Sequence, residues 1–152
     1  MLENFAPFLD SRPGVEASEK YKALAGYPGA GDKRGLTERG RGLFAFVSAD
    51  AIHWTKKDEV IPYQPTWRHA FDSQNVSFWS EAERCYICYF STWTEPERLR
   101  SISRSTSKDF VTWTTRVKVE PNMPGEHLYV SQTHPYFLAP HTITVLAAQI
   151  AV

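Results

Sequence analysis

Ser48-Ala-Asp50-Ala-Ile-His-Trp54-Thr55 and Ser107-Lys-Asp109-Phe-Val-Thr-Trp113-Thr114 decide the reading of this chain. Ser, Asp, Trp and Thr recur with the same internal spacing, and Ser107 follows Ser48 by 59 positions. An Asp so placed caps a tight turn through its carboxylate, while the Trp packs between layers. A strand-like run precedes each segment (42–47 and 100–106) and an extended run follows it (56–61 and 115–119). These two turns are architecture, not chemistry.

A second pair keeps nearly the same register. Ser73-Gln74-Asn75-Val76-Ser77-Phe78-Trp79 aligns with Ser131-Gln132-Thr133-His134-Pro135-Tyr136-Phe137, and Ser131 follows Ser73 by 58 positions. Self-similarity at one period marks a repeat architecture. Each repeat reads as an inner strand opened by Ser-Gln, a hairpin partner, a third strand, the Ser-x-Asp turn and a closing strand around Trp. Four short antiparallel strands per repeat are the anatomy of a β-propeller blade, so the expected fold is all-β.

The blades are expected at about 1–65, 66–121 and 122–152, the last stopping within or just after its second strand, 141–146. In the first, 21–26 and 42–47 are the middle strands and 27–41 a loop rich in Gly, Pro and charge. A propeller closes with four to eight blades, so about two and a half leave faces that need missing blades or self-association to cover them.

Composition agrees. A chain of 152 residues suits one domain. Apolar residues at 42% and charged residues at 22% suit a globular protein, and 14% aromatics suit pleated surfaces. Ten Pro and eight Gly disfavour long helices. Seventeen basic and seventeen acidic side chains cancel, which excludes a chain-wide attraction to nucleic acid or to an anionic membrane. The apolar stretch 143–152 is too short to span a bilayer, and Met-Leu-Glu-Asn-Phe lacks the features of a secretory signal. The compartment stays open, with a weak lean to the cytosol from two free-looking thiols.

Those thiols, Cys85 and Cys88, form a C-x-x-C inside a strand-like run. Positions three apart on a strand face opposite ways, so the sulfurs are read as structural and not as a redox or zinc pair. His134 and His141 have no carboxylate at a diagnostic metal-ligand spacing, and neither a metal nor a cofactor is expected.

Asn4-Phe-Ala-Pro-Phe-Leu-Asp10, Tyr21-Lys-Ala-Leu-Ala-Gly26, Gly42-Leu-Phe-Ala-Phe-Val-Ser48, Phe71-Asp-Ser-Gln-Asn75 and Glu126-His-Leu-Tyr129 resemble bacterial glycoside-hydrolase-like proteins. These are similar to the five-bladed propeller glycosidases of families 32 and 43, among them invertases, arabinanases and xylosidases. The resemblance implies a carbohydrate ligand and hydrolysis of glycosidic bonds by carboxylates from consecutive blades. Such cleavage needs a proton for the leaving oxygen and a carboxylate on the other face of the sugar.

On that basis Asp10, Asp72 and Glu126 are the candidate acids, with Glu3 competing for the place of Asp10. Asp10 follows the first inner strand, whereas Asp72 immediately precedes the second. Asp72 reads equally as a turn cap for Ser73 and Gln74, and Glu126 as a solvated loop residue. Asn4, Gln74, Asn75, His127, Gln132 and His134 are the candidate sugar-binding residues, since amides and imidazoles suit several hydroxyls. Trp67, beside Arg68 and His69, offers either a stacking face or a core contact. The alternative function is a non-catalytic carbohydrate-binding or scaffolding propeller. A transferase or phosphorylase on the same fold is a third option, because a fold does not fix a reaction.

Overall fold

The computed structural model describes residues 3–26, 42–64, 66–67, 70–71, 74–94, 96, 98–119, 125, 127–136, 138–144 and 147–149. The first repeat supplies β1 (Glu3–Leu9), β2 (Tyr21–Gly26), β3 (Leu43–Ser48) and β4 (Thr55–Ile61), which form one antiparallel sheet in that order. The second supplies β5 (Val76–Ser80), β6 (Cys85–Trp93), β7 (Arg100–Ser107) and β8 (Val117–Lys118), again antiparallel and in chain order. The architecture is all-β.

The last segment folds back on itself. β9 (Leu128–Ser131) pairs with β12 (Ala147–Gln149), and β10 (His134–Tyr136) pairs with β11 (Ala139–Thr144). Together they make one hairpin whose first strand is interrupted at Gln132 and Thr133. There the buried Thr133 hydroxyl bonds to that of Ser131.

β6 sits at the centre of the packing. Tyr86, Cys88 and Phe90 face one way, into a cluster with Leu24, Leu43, Val60 and Ile61 of the first sheet. Cys85, Ile87 and Tyr89 face the other way, into a cluster with Phe78, Ile102 and, from the last hairpin, Leu128. A strand buried on both faces reads as a continuous apolar run, which is why Cys85–Trp93 shows no polar alternation. The two free cysteines therefore lie on opposite faces of β6. Small serines on β7 answer the large residues of β6: Ser103 pairs with Phe90, Ser105 with Cys88 and Ser107 with Tyr86.

The two Ser-x-Asp turns are hydrogen-bonded alike. Ser48 Oγ donates to Asp50 Oδ1 at 3.0 Å and accepts the Ala51 N–H at 2.9 Å. Ser107 Oγ donates to Asp109 Oδ1 at 2.9 Å and accepts the Phe110 N–H at 2.9 Å. Asp50 Oδ1 takes the N–H groups of Ile52 and His53, as Asp109 Oδ1 takes those of Val111 and Thr112. The residue after each Asp is left-handed, Ala51 at φ 62° and Phe110 at φ 68°, and its carbonyl accepts the indole N–H of Trp54 or Trp113.

The regular part of β8 is shorter than the extended run expected at 115–119. Pairing nevertheless begins earlier, where the Thr114 N–H donates to Thr106 O at 2.9 Å and Thr114 Oγ1 accepts the Thr106 N–H at 3.0 Å. β5 makes contact with both β1 and β10, so the first strand of the second sheet adjoins the first sheet and the last hairpin. On the last hairpin Tyr129, Tyr136 and Leu138 are exposed, Leu138 at 71%.

Candidate functional site

Residues from all three repeats meet near the start of β5. The Gln132 side-chain amide donates to the Gln74 carbonyl oxygen. Next to Gln74, Asn75 is fully buried, and neither of its amide atoms finds a partner among the described residues. From the first repeat, Asn4 Nδ2 donates to the Phe71 carbonyl at 3.4 Å, while the Phe71 N–H donates to Ser91 O at 3.1 Å. Both Asn4 (φ 60°) and Phe71 (φ 68°) are left-handed. Asn tolerates that conformation, whereas a bulky Phe is strained in it, as Phe110 is in the second Ser-x-Asp turn.

Asp72 follows the strained Phe71 directly in sequence. It lies outside the described residues, as do Glu126, Ser73, Arg68 and His69. Asn4, Gln74, Asn75 and Gln132 are thus the sequence-predicted residues that the structure brings together.

The two histidines are engaged elsewhere. His127, at the head of β9, accepts the Arg100 N–H on Nδ1 at 3.2 Å and so ties the last hairpin to β7. His134 is exposed on β10, with Nδ1 2.9 Å from the Pro135 carbonyl. Trp67 packs with the core between the sheets, 6.0 Å from the Phe90 ring and 6.4 Å from Phe71.

Asp10 stands apart. It ends β1 at the opposite end from Asn4, and six residues of extended chain span about 20 Å. The Lys22 ammonium lies 2.9 Å from Asp10 Oδ2, the Tyr86 hydroxyl donates to the same oxygen at 2.6 Å, and the Arg12 N–H donates to Oδ1 at 3.0 Å. Lys22 also donates to the Glu19 carbonyl at 2.9 Å. Burial, with the hydrogen bond to Asp10 second, pushes the Tyr86 phenol well above its ordinary range and keeps it a donor. This buried group joins the first sheet to the second. Its signal in the sequence was Lys22, a lone cation inside the apolar run of β2, which demands a buried counter-charge.

The described part of the cluster offers amide donors and acceptors, with Asn75 buried and unpartnered among the described residues. Such groups read hydroxyls. Comparison with known proteins finds no matching family model and no matching curated protein.

Proposed function

We propose that this chain is part of a carbohydrate-active β-propeller of the glycosidase type, with its sugar site where the inner strands begin. The observation that carries the reading is the contact of Gln74 with Gln132. Residues in equivalent places on successive repeats touch there, while at the far edges of the first two sheets a cavity of about 370 Å³ opens beside β4 and the segment before β8. Contact at one edge and splaying at the other are what rotation about a common axis produces, as in a propeller.

In this reading Asp72 and Glu126 are the acid pair. One protonates the leaving oxygen, and the other acts on the opposite face of the sugar as base or nucleophile. Gln74, Gln132 and Asn4 hold sugar hydroxyls or the backbone that frames them. Asp10 is an anchor between sheets and takes no part in the chemistry. Because Asp10 is committed to Lys22 and Tyr86, a second reading also has support, namely a propeller that binds carbohydrate without cleaving it.

The test uses the full-length protein and a panel of aryl glycosides. Asp72→Asn keeps the shape and removes the charge, so turnover falls by about 10²-fold or more while the melting temperature holds. Unchanged turnover returns Asp72 to a capping role. Saccharide binding without any hydrolysis moves the assignment to the binding module.

A further inference from the structure

The cavity at the outer edges of the two sheets is a site in its own right. Val60 and Ile61 of β4 form one side, and Gln64 and Trp67 come from the connection that follows. Trp113 and Thr115, between the second turn and β8, close the other side. At about 370 Å³ it falls within the range of small-molecule sites. No Asp, Glu, Lys or Arg lines it among the described residues.

Its walls are fixed before any ligand arrives. The Trp113 indole N–H donates to the Phe110 carbonyl at 3.3 Å, and the two rings meet edge to face at 5.7 Å. The Arg116 guanidinium stands 5.3 Å from the centre of the Trp67 ring and is itself held by a 3.0 Å hydrogen bond to Ser103 Oγ. The equivalent indole of the first repeat behaves differently, for Trp54 packs at 4.9 Å on Phe5 in a separate apolar cluster. The same turn therefore packs its Trp on Phe5 in one repeat and lines the cavity in the other.

We infer that this cavity is a second saccharide-binding site, separate from the inner-strand cluster. Indole surfaces take the C–H faces of a sugar ring, and the Gln64 amide and Thr115 hydroxyl take its hydroxyls. The inference does not depend on hydrolysis at Asp72.

Saturation-transfer NMR and tryptophan fluorescence on the full-length protein test it, with xylohexaose, cellohexaose and maltohexaose as neutral probes. At least one neutral hexamer binds, Trp113→Ala and Gln64→Ala each weaken it by about three- to tenfold, and Gln132→Ala leaves a bound fraction that still depends on Trp113. If Trp113→Ala loses its melting transition, Trp113→Phe together with Gln64→Ala and Thr115→Val carries the comparison. Two outcomes overturn the inference: no neutral hexamer binds, or binding is indifferent to every cavity variant.

Discussion

Gln132 donates its side-chain amide to Gln74, 58 positions earlier, and the two residues occupy the same place in successive repeats. Asn75, beside Gln74, is buried with no partner for its amide among the described residues, and Asn4 donates to the carbonyl of Phe71, three positions before Gln74. All three repeats thus contribute an amide side chain near the start of β5, close in sequence to Asp72. The same repetition yields the following expectations.

The turn serines are the first. Ser48 and Ser107 are buried, and each links its Asp to the backbone of the left-handed residue that follows. Ser107→Ala leaves the Phe110 N–H without its acceptor, so stability falls by about 1–3 kcal/mol, and Ser48→Ala costs a similar amount. Urea titration of the two variants measures this, and a loss confined to one turn would contradict their equivalence.

Acid sensitivity is the second. The Thr112 N–H, followed by the Val111 N–H and the Ser107 hydroxyl, holds the Asp109 carboxyl at about 2, below its ordinary 3.8, against a smaller opposing effect of burial. A carboxyl depressed in the folded state contributes stability that is present above about pH 4 and is lost as the pH falls through about 2. The His53 side chain, then the N–H groups of His53 and Ile52, push Asp50 in the same direction. The melting temperature of Asp109→Asn should therefore fall less steeply between pH 4 and pH 2 than that of the unaltered protein. Parallel curves would remove Asp109 from the account.

The buried ion pair comes third. Lys22→Met strands the Asp10 carboxylate in the interior and costs about 3–5 kcal/mol. Tyr86→Phe removes a hydrogen bond to a charged group and costs about 1.5–3 kcal/mol. A Lys22→Met, Asp10→Leu double variant recovers much of the first loss, because no lone charge remains. Denaturant curves for the three variants separate this anchoring role from one in chemistry, which predicts lost turnover at unchanged stability for Asp10→Asn.

The thiols are fourth. Burial raises both Cys85 and Cys88 above the ordinary thiol range, and the Glu83 carboxylate adds to the effect at Cys85. Thiolate is the reactive form, so neither cysteine should react with an aromatic disulfide reagent at pH 8 until the protein unfolds, when both do. Rapid reaction of the native protein would contradict their burial on opposite faces of β6.

Much of the fold was legible in the sequence because the turn chemistry is local. Ser48, Asp50 and Trp54 specify a hydrogen-bonded turn within seven residues, and their recurrence at Ser107, Asp109 and Trp113 gave the strand order of both sheets. The period-two rule separated Cys85 from Cys88 for the same reason. The site was less legible because its relationships are long-range. The sequence does not announce that Asn4 bonds to the Phe71 carbonyl, that His127 is spent on the Arg100 N–H, or that Tyr86 claims Asp10 from 76 positions away. An acid sought at the blade repeat finds Asp10, yet only tertiary packing reveals that Lys22 neutralises it.

The central proposal is that Asp72 and Glu126 are the acid pair of a sugar site framed by Gln74 and Gln132. The most direct measurement is the separation of the two carboxylates in a crystal structure of the full-length protein with a saccharide bound. The account predicts about 5–5.5 Å for a retaining enzyme or about 6.5–9.5 Å for an inverting one, with the sugar beside both glutamines. Carboxylates well beyond that range, or turned away from the bound sugar, would contradict it.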